Sequence, residues 1–454
     1  MLAALFLSVL VSTATVPLPL PPPPPGFDAR HPLEPEDYLR KNERGYITGL
    51  PLFNYDPNTG YGFGARAYYF WNGTRDEPLF AYSPYLHRVF LQVFLTTRGL
   101  QFHWLDYDVP SLFGTPFRFR SQFIYMSNND EHYFGLGSRA TGPLSFSGSS
   151  RTYDTFSAYA ADLARVTAAG TTYARYDSYE LKRPLALLSI ERSYLHGFLR
   201  PLFGFGFNHY SITDYTGRPV IATDAAGNAT TAPSAPTRMR QDCDRGAIVG
   251  CGGGWDNFLR FGLSFDTRDF EPDPNHGVFI DAAFDIGTGL LGSRYDWTRL
   301  LVAPRIYVDL WPEKTDLVFA ARATLQWQSK QTPFFGMKLI PYTEDPRNGL
   351  GGIRTMRGFS QDRFVGPVMT AYNFELRWTF VRGTIWKQKL GLIAVPFIDL
   401  GAAYDSPSDV RLTGLRRDQG AALRVSWNLA TIITFEYGVS DEESGIYINF
   451  NHIF

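Results

Sequence analysis

Past residue 14 this chain offers no run of eighteen or more apolar residues. A helix that crosses a bilayer needs about twenty, so no transmembrane helix is expected, and a membrane role would require a barrel. An excess of charge of either sign is also missing: 43 Lys and Arg stand against 44 Asp and Glu, a net charge of -1. Neither a nucleic-acid partner nor an acidic disordered tail is indicated. The eight histidines (His31, His87, His103, His132, His196, His209, His276 and His452) are scattered without the spacing of a metal site or a His-based catalyst. No Gly-x-Ser-x-Gly elbow and no Gly-x-x-x-x-Gly-Lys-Ser/Thr phosphate loop occurs, so no enzyme, no cofactor and no metal is expected. Cysteine is down to two, Cys243 and Cys251, in a polar Gly-rich stretch without flanking histidines. That makes a poor metal site, and in an exported chain the pair is expected to form a disulfide.

Aromatic residues, by contrast, make up 16% of the chain, with 37 Phe and 26 Tyr, and Gly reaches 42. That composition favours pleated strands and tight turns. Residues 2–14 are apolar and end in Ser12-Thr13-Ala14, a small-x-small pattern that reads as a signal peptide over 1–14. A polyproline stretch at 17–26 cannot join a sheet, so 15–45 reads as a Pro-rich periplasmic leader ahead of a barrel over 46–454.

From about Tyr61 the chain alternates in dyads between turn signals. In 373–378 the outward face carries Phe374, Leu376 and Trp378 and the inward face Asn373, Glu375 and Arg377. In 397–401 Ile398 and Leu400 point outward and Asp399 inward, and at the C-terminus Ile446, Ile448, Phe450 and Phe454 are placed on one outward face. Segments of about ten residues give sixteen candidate strands, near 61–71, 84–97, 99–108, 116–127, 171–182, 184–193, 197–212, 255–268, 277–287, 296–310, 317–329, 369–382, 389–402, 417–428, 430–438 and 445–454. An even number returns both termini to the periplasmic side. On this count, however, 128–170 forms a long insertion where turns should be short. The glycines at 60, 62, 64, 204 and 206 fit small inward residues, and Trp71, Trp104, Trp311, Trp378 and Trp386 fit an interfacial girdle. A soluble sandwich would also alternate, but the export signal, the terminal aromatic and the apolar outward face of nearly every strand favour a 16-stranded antiparallel transmembrane β-barrel.

Residues 351–377 read GGIRTMRGFSQDRFVGPVMTAYNFELR. In order along the chain stand also Asp266-Thr-Arg-Asp269 with Pro274 and Gly277, then Pro333-Phe-Phe335, then Phe397-Ile-Asp399-Leu-Gly401 and the terminal Phe454. Residues 51–60, with Gly62 and Gly64, look like a first barrel strand. Together these resemble the barrel of the BamA/TamA (bacterial surface antigen) superfamily, here without its periplasmic POTRA domains. The resemblance covers roughly 50–454 and is strongest from 255 onward. It implies that the long loop folds back into the lumen and that Arg357, Gly358 and Phe359 form its tip. It implies further that Glu375 and Asp399 anchor Arg357, and that Phe454 is part of an outer-membrane sorting signal. The physics points the same way, because a guanidinium inside a barrel needs an anionic partner.

The resemblance further implies a protein of the cell outer membrane of a Gram-negative bacterium, surrounded by outer-membrane lipids. It implies a role in inserting proteins into that membrane or moving them across it, with unfolded outer-membrane or secreted clients. Without the periplasmic domains, capture of such clients is the weak point of that expectation. The alternative is a passive or gated pore plugged by 330–368. For a third class, an outer-membrane hydrolase, the sequence shows no nucleophile-base pair.

Overall fold

Strands that alternate apolar and polar residues can close on themselves if lipid meets one face and water or polar protein the other. That is the arrangement in the computed structural model, which describes Tyr38 and residues 41–454 apart from 84, 270–272, 313, 343–348, 386, 387, 428–430, 451 and 453. The expected signal peptide, the polyproline stretch and Trp386 lie outside the described residues.

Sixteen antiparallel strands form the wall. They are β1 (Gly45–Asp56), β2 (Gly60–Trp71), β3 (His87–Thr96), β4 (Gln101–Val109), β5 (Phe117–His132), β6 (Ser178–Arg192), β7 (Leu199–Thr213) and β8 (Phe258–Asp266). The second half runs β9 (Gly277–Gly287), β10 (Trp297–Asp309), β11 (Asp316–Gln328), β12 (Val368–Ile385), β13 (Gln388–Tyr404), β14 (Arg416–Trp427), β15 (Thr431–Ser440) and β16 (Ser444–Phe450). Each pairs with its neighbour in sequence, and the two-residue segment Gly254–Trp255 extends the β7 edge ahead of β8. Among the described residues β1 meets β16 at one registered pair, Tyr55 opposite Ile448. The β15–β16 ladder, by comparison, runs unbroken from Ile433 opposite Phe450 to Val439 opposite Ser444.

Two differences from the sequence reading change where the loops fall. The first strand is 45–56, registered with β2 from Gly45 opposite Trp71 to Asp56 opposite Gly60. The segments expected at 171–182 and 184–193 are one strand, β6, because Pro184 continues the ladder opposite Tyr125 instead of breaking it. The two changes cancel in the total. They also shift the parity, so that 133–177 joins 214–257 and 329–367 at the end opposite the one where the chain enters. All three long connections then lie at the extracellular end.

Alternation sends apolar side chains such as Phe63, Leu91, Phe123, Phe261, Leu300, Leu325, Ile398 and Phe435 to the exposed outer face. Asp106, Asp281, Arg299, Arg322, Glu375, Asp399, Arg424 and Glu436 are buried inside. Trp71, Trp311 and Trp378 are exposed near the short-turn end, as a girdle requires, but Trp104 faces inward and packs edge-on against the buried Phe90, 5.1 Å between centroids. Phe454 also departs from the outward face. β16 ends at Phe450, and Phe454 turns into the lumen against Tyr307, Val318 and Ala320. Beneath it lie the guanidiniums of Arg322 and Arg377, at 5.0 and 5.2 Å from its ring.

The extracellular loops form a cap. It contains a hairpin (Pro219–Thr223 with Ala229–Pro233) and four short helices, α1 (Ser138–Thr141), α2 (Phe156–Leu163), α3 (Arg238–Asp244) and α4 (Phe334–Met337). Thr155 and Thr237 start α2 and α3 by accepting the amide N–H groups of Ala158 and Arg240, the usual role of an N-cap hydroxyl. Arg139 holds Asp242 with two bonds of 3.0 Å, Tyr133 donates to the same carboxylate at 2.7 Å, and Cys243 is disulfide-bonded to Cys251. Below the cap Tyr133, Tyr179, Tyr210, Trp297, Phe334 and Phe335 make an apolar plug across the ends of β6 to β10, with Tyr210 and Phe335 stacked at 3.9 Å.

Candidate functional site

The connection between β11 and β12, residues 329–367, has to cross from one strand to its neighbour, a step that needs only a few residues. The surplus is spent inside the barrel. Pro333 leads into α4, whose Phe334 and Phe335 enter the plug, and Gln328 donates to the carbonyls of Met337 and Gly366. Ile340 and Tyr342 then run down the wall, with the Tyr342 hydroxyl 2.8 Å from that of Thr324. After the undescribed 343–348, Gly351 and Gly352 adopt left-handed φ values of 114° and 76° and the chain doubles back, the Gly352 amide donating to the Phe359 carbonyl at 2.8 Å.

This turn aims Arg357 at the wall. Its Nε and Nη2 donate to Asp399 at 2.8 and 2.9 Å, and its Nη1 donates to Glu375 at 2.8 Å and to Glu436 at 3.3 Å. The guanidinium lies 3.3 Å from the centre of the Phe397 ring. Arg357, Glu375 and Asp399 are all buried, so every bond is made away from water, where an orphaned partner is expensive. Gly358 is set by packing. A Cβ there would sit 2.6 Å from Asp418 Cβ and 2.7 Å from the Val439 carbonyl carbon, and the Gly358 carbonyl accepts from Ser440 Oγ at 2.7 Å. Gly438 faces it from β15, where a Cβ would meet the Arg357 carbonyl at 2.6 Å. Phe359 packs edge-on to Phe364 at 4.9 Å, with Arg416 over its ring at 5.5 Å.

More residues take part than the motif named. Each of β12 to β15 turns a carboxylate inward: Glu375, Asp399, Asp418 and Glu436. Arg424 joins Glu375 (2.9 and 2.7 Å) to Glu436 (2.9 Å), and Arg377 adds a bond to Glu375 at 2.9 Å. Asn373 donates to Asp399 at 2.7 Å and accepts from Arg322, whose Nη2 also donates to the carbonyl of Arg354 in the loop. Asp418 stands directly opposite Asp399 in the β13–β14 register, close behind the loop tip at Gly358. Strand alternation could have found Arg424 and Glu436, because a lone charge inside LRVSW or TFEYG has only the lumen to face. Two further ties hold the rest of the loop. Arg363 grips Glu442 at 2.8 and 3.0 Å, and Lys338 bonds Glu131 on β5 and, at 3.1 Å, Asp362.

Phe454 is not part of the tip, but the two are linked: Arg377, bonded to Glu375, also donates to the Phe454 carbonyl at 2.8 Å. Cys243 and Cys251 belong to the cap and touch the plug rather than the clamp.

A closed sixteen-strand wall, with a long loop held inside it by a buried arginine on strand carboxylates, defines a class of outer-membrane barrels. Residues 115–454 match the Omp85 superfamily domain, and residues 24–86 match a domain of unknown function, DUF5982. The chain belongs to the Omp85 superfamily and is a protein of the Gram-negative outer membrane. The outer membrane protein assembly factor BamA of Nitratidesulfovibrio vulgaris is 29% identical over 159 residues, a match that takes in 32% of this chain and 18% of that protein. The crystal structure of BamA from Haemophilus ducreyi lacking POTRA domains 1-3 superposes with a TM-score of 0.53 at 13% identity, covering 90% of this chain and 70% of that one, which is a likeness of fold. CdiB from Escherichia coli follows at a TM-score of 0.49 and 11% identity, over 89% of this chain and 62% of its own.

Proposed function

We propose that this barrel assists the insertion of proteins into the outer membrane or their passage across it, by opening between β1 and β16. The observation that carries the reading is the seam. One registered pair joins the first strand to the last, so the β1 edge from Gly45 to Asn54, roughly 30 Å at about 3.4 Å per residue, carries no β16 partner among the described residues. An unpaired edge is a template for another strand, and adding a strand is how extended segments bind sheets. Arg357, Gly358, Phe359, Glu375 and Asp399 would serve this role by holding β12 to β15 rigid while the seam moves. A passive pore is the poorer reading, since the plug and the loop tip occupy the extracellular half of the lumen.

Depletion of the protein followed by a quantitative outer-membrane proteome tests the function: selective loss of other barrels supports it, and unchanged content overturns it. A double variant Tyr55→Cys, Ile448→Cys tests the route, because opposed strand residues lie within disulfide reach. Oxidised protein should lose function and regain it on reduction. Undiminished function with the seam locked would rule the route out. Phe454 is read here as a sorting signal recognised in the unfolded chain, before it reaches its lumen position. Deleting it should lower the amount reaching the outer membrane, and normal levels would place the signal elsewhere.

A further inference from the structure

Among the described residues, no loop enters the half of the lumen formed by β3 to β8 at the short-turn end. A cavity of about 250 Å³ opens there, and five arginines reach it, Arg88, Arg118, Arg120, Arg200 and Arg260, against one glutamate, Glu191. Four of the six stand near the strand ends next to the periplasmic turns, while Arg260 stacks at 5.3 Å on Phe258 of the plug, which roofs the cavity.

These arginines have carboxylate partners, and the placement of the two kinds of group is unequal. Asp106 receives Arg88, Arg120 and Gln122; Asp108 receives Arg118 through two bonds; Asp285 receives Arg260 through two. Asp281 is buried beside Arg260 as well. Asp106, Asp108 and Asp285 are 0–1% exposed, whereas Arg88, Arg118 and Arg120 keep 21–35% of their side chains accessible. The carboxylates lie behind and fix the guanidinium planes, and what faces the cavity is donor edges. Arg120 spends Nε on Asp106, and its two terminal nitrogens have no protein acceptor among the described residues.

We propose that this vestibule is a binding site for a phosphate-type oxyanion that arrives from the periplasmic side. The donors come from β3, β5, β7 and β8, so they converge from several directions, which suits a tetrahedral acceptor better than the two coplanar oxygens of a carboxylate. The volume is below the roughly 300–1,000 Å³ of pockets that enclose drug-sized molecules, so the bound part is a small ion or the headgroup end of something larger. The same chemistry is met in a soluble phosphate and in an anionic phospholipid.

The test uses the whole protein in phosphatidylcholine nanodiscs, with inorganic pyrophosphate as the soluble probe in titration calorimetry. A second arm uses mixed phosphatidylcholine and phosphatidylglycerol discs without added phosphate, and native mass spectrometry reads which lipid the protein retains. Arg120→Gln leaves Asp106 with Arg88 and Gln122, and Arg200→Gln leaves Asp266 with Arg268, so either variant keeps its carboxylate partnered. Heat-modifiable gel mobility shows that each is folded. Pyrophosphate binding that weakens at least tenfold in a folded variant supports a soluble ligand. Preferential retention of phosphatidylglycerol, lost in a folded variant, supports a headgroup. Absence of both, or binding that either folded variant leaves unchanged, overturns the site.

Discussion

Two arginine clusters share this lumen, and they differ in what covers them. On the β12 to β15 side Arg357, Arg377 and Arg424 are 0–3% exposed and share Glu375, Asp399 and Glu436. On the β3 to β8 side Arg88, Arg118 and Arg120 are held by Asp106 and Asp108 at similar distances but remain accessible. The side-chain inventory is nearly the same. A loop laid over the first cluster turns it into a structural clamp, where losing one partner strands the others in a dry site. The second is left facing a cavity, where lost charge is screened and the surviving groups stay hydrated.

The comparison can be broken most directly at Arg357. Arg357→Ala should cost on the order of 3–5 kcal/mol in the clamp, and trypsin should then cut within 338–366 while the barrel keeps its heat-modifiable mobility. A loop as protected as in the wild type would remove the distinction between the clusters. Next in size is the cap: replacing Cys243 and Cys251 by Ser should loosen the stretch around α3 by roughly 2–3 kcal/mol in the chain-entropy picture, read as faster amide exchange there with the clamp unaffected. Gly358→Ala forces a methyl group against Asp418 and the β15 backbone. The expected cost is about 1–3 kcal/mol, seen as a lower urea midpoint in lipid vesicles, and an unchanged midpoint would mean the tip has slack. In the vestibule Arg120→Gln should shift the same midpoint by no more than about 1 kcal/mol; a loss as large as that of Arg357→Ala would make the two clusters equivalent. Smallest is Ile221→Ser on the exposed cap hairpin, expected within about 0.5 kcal/mol.

Legibility in the sequence followed the same division. The second half of the wall was readable because each strand from 277 onward is bounded by a turn and alternates cleanly, as in Phe374, Leu376 and Trp378 against Asn373, Glu375 and Arg377. The first half misled at two points. β1 contains Pro51 and two glycines, Gly45 and Gly49, and β6 contains Pro184, which reads as a breaker yet sits in register opposite Tyr125. Phe454 was misplaced because period-two counting assumes the strand continues, and here the chain leaves the sheet after Phe450. The vestibule was not legible at all. Its arginines come from four strands, and what matters about them is which charges are in front and which are behind, a property of packing that no spacing records.

The covered lumen has a consequence for the order in which the molecule can be made. Plug and cap obstruct the extracellular mouth, and Arg354 and Arg357 of the loop reach the inside of the wall from between β11 and β12. A loop carrying Arg354 and Arg357 would have to drag two hydrated cations through that obstruction if the cylinder were already shut. It is more easily laid onto an open, curved sheet, with Glu375, Asp399 and Glu436 already side by side on consecutive or near-consecutive strands. On that route the wall would close last at the junction of β1 with β16, which among the described residues is held by a single registered pair.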